Sequence, residues 1–224
     1  MHKTSPEQQL IKLAHQLSSY VICAEGNVSA KKEQNFFIKS SGTSLHNLTA
    51  DNLSLCRMSD SACLNDRIPS IEASFHAWLL QNTGINFVAH THPVNVLKIV
   101  CGDGLSDFAE KRLFPDQVIF NGAKSCIIPY ASPGIKLTEQ IIIGVEKFLT
   151  EENYFPSVIL LKNHGLICCG STAESCLYST MMCEKAAEIF IGSRACSSVQ
   201  WLSDTHIQAL LDDDKEKYRK GLVG

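Results

Sequence analysis

Residues 86–93, Asn-Phe-Val-Ala-His-Thr-His-Pro, constrain this chain most, because an apolar run there ends in two histidines and a proline. Read as a strand, the run places side chains two apart on one face, with Cα atoms about 6–7 Å apart. His90 and His92 can therefore share one metal ion. Pro93 has no N–H, so the ladder is predicted to end just beyond the pair and leave both imidazoles at an accessible strand end. A strand end meeting solvent can carry the same two polar residues without binding anything. The weight of the pair comes from Glu72 upstream and His164 downstream.

The frame around that stretch is an ordinary globular one. A chain of 224 residues suffices for one well-cored domain, and with no internal repeat, low-complexity tract or linker, residues 1–224 read as a single domain. Hydrophobic residues make up 45% and charged residues 19%, as in soluble proteins. The net charge of −3 offers no basic footprint, so nucleic acid is excluded as an expected partner. The N-terminus lacks the apolar core of a signal peptide, and no apolar run approaches the ~20 residues of a membrane span. Ten cysteines are many, yet none forms a C-x-x-C pair. Cys176 and Cys183, seven apart in a helical pattern, are expected to fill core space. A reduced, cytoplasmic protein that meets no membrane is the expectation.

Ser5-Pro6-Glu7-Gln8 predicts a capped helix start, and Leu10, Leu13, Ala14 and Leu17 continue it with helical period. Short strands are expected around 28–30, 36–39 and 53–57, between Ser/Gly/Asn turns. Helices are expected over 71–82, 94–101, 107–113 and 138–149, with strands over 117–120 and 126–130. The apolar runs 158–161 and 166–169 flank Lys162-Asn163-His164-Gly165, a hairpin turn. Ser171 with Glu174 reads as a second capping box, opening a long helix to about Gly192. A last charged helix is expected from about Ser203 to Tyr218. Interleaved strands and helices give an α/β or α+β layered class.

A catalytic zinc commonly has three protein ligands and an open position, and a short-spaced pair plus one distant residue is a frequent supply. His90 and His92 form the pair. His164, in a tight turn before Gly165, is the third candidate, although alone it reads as a solvated hairpin histidine. Glu72 opens a helix, where a carboxylate is stabilised by the dipole, so plain capping is one reading. Beside a metal it can be a fourth ligand or a general acid/base. His76, one turn on, shares its face and is expected to be buried or to support Glu72 rather than to ligate. Gly26-Asn27-Val28-Ser29, Ser40-Ser41-Gly42-Thr43 and Ser70 offer backbone and hydroxyl donors to an anion such as phosphate. There is no G-x-G-x-x-G and no P-loop, so nucleotide binding finds no support.

Taken together, Gly26-Asn27-Val28-Ser29, Ile38-Lys39-Ser40-Ser41-Gly42, Pro69-Ser70-Ile71-Glu72 with His76, His90-Thr91-His92-Pro93 and Asn163-His164-Gly165 resemble the class II aldolase/adducin family, in its order and spacing. The resemblance runs from the first helix to the long helix ending near Gly192. It implies a three-layer α/β/α domain with a largely antiparallel central sheet, assembled as a homotetramer with interfacial active sites. It also implies that His90, His92 and His164 bind Zn2+ or another divalent transition metal. Glu72 would ligate that ion without substrate and act as acid/base with it. Asn27, Ser41, Gly42 and Ser70 would hold a substrate phosphate. Tyr218 stands where the aldolases carry a C-terminal tyrosine that protonates the aldehyde oxygen in a neighbouring subunit.

The chain departs from the family in its substrate pocket. Ile71 stands where the family often has a second serine, Ala24 replaces a threonine that helps hold phosphate, and an aromatic residue expected near the aldehyde pocket is absent, the segment Leu113-Phe114-Pro115-Asp116 being different there. The first expectation is a zinc-dependent aldolase acting on a small keto-sugar or sugar phosphate, with dihydroxyacetone phosphate as one product. A dehydratase, decarboxylase or epimerase on the same fold is the alternative, and glutamate at 72 leans away from the epimerases, which carry aspartate. A non-catalytic adducin-like interaction module is the reading of another class. Such modules can lose the metal histidines, and this chain keeps all three and Glu72.

Overall fold

The computed structural model describes residues 4–223. Its centre is a seven-stranded sheet in the order β3-β2-β1-β4-β7-β6-β5. The strands are β1 (Asn27–Lys32), β2 (Asn35–Lys39), β3 (Leu53–Arg57), β4 (Phe87–Thr91), β5 (Cys126–Ile128), β6 (Val158–Leu161) and β7 (Gly165–Gly170). Every neighbouring pair is antiparallel except β5 with β6.

Alternation along each strand sends side chains to two helical layers. On one face Phe36, Ile38, Val88, Ile159 and Ile167 pack beneath α2 (Ala73–Gln81) and α6 (Ile135–Glu152). On the other, Val28, Ala30, Phe87 and Ala89 meet α1 (Pro6–Leu17) and the start of α7 (Ala173–Cys196). Val158, Leu160, Leu166 and Cys168 meet α3 (Val94–Val100), α4 (Leu105–Glu110) and the rest of α7. The three-layer α/β/α arrangement with a largely antiparallel sheet is as the resemblance implied. With Val88 facing α2, His90 faces it too. All residues of β4, β6 and β7 are buried, as expected for strands covered on both faces.

The first helix starts as its sequence predicts. Gln8 N–H donates to Ser5 Oγ and Ser5 N–H donates to Gln8 Oε1. Other boundaries move. Residues 117–120 form no strand; they lie in α5 (Pro115–Asn121), whose first residue is proline. An apolar run of three, Val118-Ile119-Phe120, cannot choose between the two periods, and Pro115 at the first helical turn decides for helix. The cap of α7 is Thr172 with Ser175, one position beyond the predicted Ser171 and Glu174. The single charged C-terminal helix is instead two, α8 (Asp204–Asp212) and α9 (Asp214–Val223), broken where Asp213 turns extended. The helix expected from residue 71 begins at Ala73, with Glu72 as its N-terminal flanking residue.

Candidate metal centre and active site

β4 and β1 pair so that Asn27 lies opposite His90, and β4 pairs with β7 so that His90 lies opposite Ile167. That register gathers the predicted residues at one end of the sheet. Gly165 makes room for them. A Cβ there would sit 2.6 Å from His92 Cδ2 and 2.8 Å from Thr91 O, so only glycine lets β7 begin beneath the imidazoles. Gly26 has a similar task at φ +63°, where a Cβ would lie 2.6 Å from His90 O. Asn163 adopts φ +55°, turning the Lys162–His164 loop so that His164 N–H donates to Leu161 O.

The three imidazoles converge. His90 Nδ1 donates to Leu166 O at 3.0 Å; a carbonyl only accepts, so the lone pair of His90 is on Nε2. His92 Nε2 lies 3.1 Å from His90 Nε2. The two Glu72 oxygens lie 3.6 Å from His90 Nε2 and 3.7 Å from His164 Nε2. One donor atom from each histidine falls within 4.8 Å of the others, a grouping that can hold a metal ion. His164 Nδ1 is buried without a hydrogen-bond partner among the described residues.

Electrostatics favour the same use. Burial, with His164 nearby, pushes His90 down to about 3. Burial and then His90 push His92 down to about 4, and burial lowers His164. Neutral imidazoles keep their lone pairs at neutral pH, the form a metal needs. The donor set, three neutral imidazoles beside one carboxylate, fits a divalent transition metal.

Glu72 is buried at 5% exposure and makes no capping bond with its side chain. Plain capping is therefore not its use. Asn27 Nδ2 donates to Glu72 Oε2 at 2.7 Å and to Ser70 Oγ at 3.2 Å. His76 Nε2 donates to Asn27 Oδ1, and Ser29 Oγ donates to His76 Nδ1 at 2.6 Å. This relay fixes which way the Asn27 amide points and, through it, the Glu72 carboxylate. His76 is fully buried, held well below its usual range by burial, and supports Glu72 as expected. Asn27, expected to hold phosphate, has its N–H groups engaged by Glu72 and Ser70.

Asn27, Ser41, Gly42, Ser70, Glu72, His90, His92 and His164 line one cavity of about 340 Å³. Tyr218 does not line it and is 70% exposed on α9. Two residues with no role assigned from sequence also reach the site. Lys39 is buried at the end of β2, and its Nζ donates to Ala24 O at 3.1 Å and Thr43 O at 2.6 Å. Burial lowers its pKa while the Glu72 charge opposes that shift. The signal was a lysine ending an apolar strand just before a Ser/Gly turn. Glu25 Oε2 stands 3.6 Å from His92 Nδ1 and accepts from Ile22 N–H, which aims the other imidazole nitrogen at the centre.

The fold is a three-layer α/β/α domain with a histidine group that can hold a metal ion, and sequence comparison places it. Residues 8–191 match the Class II Aldolase and Adducin N-terminal domain, and the chain belongs to that family. It is 27% identical to a 3-oxo-tetronate 4-phosphate decarboxylase of Haemophilus influenzae, covering 85% of this chain and 88% of that protein. It is 24% identical to an L-fuculose phosphate aldolase of Methanococcus maripaludis, covering 80% and 92%. An uncharacterized oxidoreductase of Bacillus subtilis, YuxG, is 26% identical over 88% of this chain, which spans only 31% of YuxG. Among solved structures, YgbL of Klebsiella pneumoniae, described as a putative aldolase/epimerase/decarboxylase, superposes with a TM-score of 0.78 at 24% identity, covering 92% of this chain and all of that one. An L-fuculose 1-phosphate aldolase gives 0.78 at 18% identity, covering 98% of each chain.

Proposed function

We propose that the chain is a zinc-dependent carbon–carbon lyase that reversibly cleaves a small keto-sugar phosphate to dihydroxyacetone phosphate and a small aldehyde. The observation that carries this reading is the convergence of three neutral imidazoles and a buried carboxylate in a cavity that Lys39, Ser41, Gly42 and Ser70 also line. A divalent ion held by His90, His92 and His164 would supply Lewis-acid stabilisation of the electron pair left when the bond breaks.

The protein groups divide the remaining work. Glu72, oriented by Asn27, returns a proton to the carbon that keeps the electron pair, and in the aldol direction it removes that proton. Ser41, the Gly42 backbone and Ser70 hold the phosphate. Lys39 Nζ, anchored by two carbonyls, has donor capacity left and adds the cavity's positive charge. Tyr218, outside its own cavity, would serve the aldehyde oxygen of a neighbouring subunit. The homotetramer is supported by exposed apolar side chains close in sequence to the cavity wall, namely Ile22, Ile68, Ile71, Val94 and Ile135. The cytoplasm is the proposed compartment; no helix of the described residues is long and apolar enough to cross a membrane.

A second reading, decarboxylation of a 3-oxo sugar-acid phosphate, is favoured by the 27% identity to the Haemophilus decarboxylase and by the likeness to YgbL. Both reactions break a bond and leave an electron pair that the same centre can stabilise. The experiment offers the metal-loaded protein a set of ketose 1-phosphates and 3-oxo-tetronate phosphates. Dihydroxyacetone phosphate released with an aldehyde from a ketose 1-phosphate supports the first reading, and dihydroxyacetone phosphate released with carbon dioxide from a 3-oxo-tetronate 4-phosphate supports the second. Turnover of neither set would overturn both.

A further inference from the structure

At the sheet edge, away from the histidines, two cysteines face each other. Cys56 lies on β3, and Cys63 returns beside it as an antiparallel bridge partner. Arg57 N–H donates to Ala62 O and Leu64 N–H donates to Leu55 O, so hydrogen bonds bracket the pair rather than join it. At such a position Cα atoms lie about 4.5 Å apart and same-face side chains come closest. A disulfide spans Cα separations of about 4.4–6.8 Å, so this backbone already suits one. Cys56 is fully buried in the core beneath α2 and α6, while half-buried Cys63 packs on the same core and reaches solvent.

Cys63 also holds the chain that leads to the cavity. Its one S–H has three acceptors within reach, Asn65 O and Oδ1 at 3.2 Å and Arg67 O at 3.1 Å from Sγ. Asn65 is tied to β3 through Leu55 N–H and Leu53 O. A few residues on, Ile68 O accepts from Ser41 N–H and Pro69 bridges Ser40, just before Ser70 and Glu72. A sulfur drawn to Cys56 and stripped of its proton gives up the contacts to Asn65 and Arg67.

We propose that Cys56 and Cys63 form a reversible disulfide when the protein meets a low-molecular-weight disulfide of the glutathione type, and that its formation loosens residues 64–70. Burial, with Cys63 beside it, pushes the Cys56 thiol up to about 12, so Cys63 reacts first. The Cys63 thiolate attacks one sulfur of the reagent, whose S–S bond breaks; the departing thiolate takes up the proton that Cys63 lost. Cys56 then gives up its proton, attacks the Cys63 sulfur of the mixed disulfide and expels a second reagent thiol. Two protein thiols lose two electrons and two protons, and one reagent disulfide becomes two thiols. The proposal stands whichever reaction the cavity performs.

The test treats the whole protein with oxidised glutathione, blocks the remaining thiols and digests with trypsin without reductant. Cleavage after Lys39, Arg57 and Arg67 leaves Cys56 as the one cysteine of 40–57 and Cys63 as the one cysteine of 58–67. The expected result is that these peptides are recovered joined and separate on reduction, while exposed Cys23, Cys101 and Cys196 carry glutathione. Amide exchange over 64–70 rises several-fold in the joined form and returns after reduction. In Cys63→Ser, Cys56 stays unmodified. Recovery of Cys63 as a glutathione adduct with Cys56 free overturns the pairing, and glutathione on Cys56 in the variant overturns the order of attack. Unchanged exchange in the joined form overturns the loosening.

Discussion

Glu72 lies within reach of His90 and His164, but its direction is set by Asn27, which is set in turn by His76 and Ser29. Glu72→Gln is expected to keep the metal and lose about 10²–10⁴-fold in turnover, the usual worth of a general acid/base; metal analysis beside a kinetic assay checks both halves. Full activity in that variant would remove Glu72 from the chemistry. Glu25, facing His92 Nδ1, is expected to matter through its neighbour. Glu25→Gln should weaken metal binding by about 10–100-fold, read by competition with a chelator. Gly165→Ala drives a methyl into His92 and Thr91 O, and is expected to cost about 1–3 kcal/mol in chemical denaturation and to impair metal uptake.

At the scale of elements, α3 is positioned by a residue of α7. Asn95 N–H, Asn95 Nδ2 and Val96 N–H all donate to the Glu184 carboxylate at 3.0–3.1 Å, separated from His92-Pro93 by one residue. Glu184→Ala should destabilise the fold by about 1.5–3 kcal/mol, the worth of hydrogen bonds to a charged group, measured in urea. The elements most legible in the sequence were those with a strong period or cap, such as the helix after Ser5 and the hairpin around Asn163. The strand read at 117–120 failed because Val118, Ile119 and Phe120 fit either period, and the helix-starting Pro115 was passed over. The histidine cluster was legible because His-x-His depends on one strand alone. The relay from Ser29 through His76 and Asn27 to Glu72 was not, because it joins three segments through a sheet register that periodicity cannot supply. Lys39 and Glu25 were missed for the same reason.

For the whole molecule, burial has a cost that appears on acidification. His90, His92, His164 and His76 all have folded pKa values depressed below the usual ~6.5 of the unfolded chain. Below that value the unfolded chain takes up protons that the metal-free folded chain refuses, so stability is fully present above about pH 6.5 and falls toward pH 4. A series of urea melts of metal-free protein should show that decline beginning before the carboxylates titrate. A single cooperative transition in each melt would support one domain across the chain, and two separated transitions would oppose it. The measurement closest to the central claim is the divalent metal content of the purified chain and of His92→Ala after both are supplied with zinc. The account predicts about one ion per wild-type chain and a large loss in the variant. A wild-type chain that takes up none, or a variant that holds zinc as tightly as its parent, would contradict it.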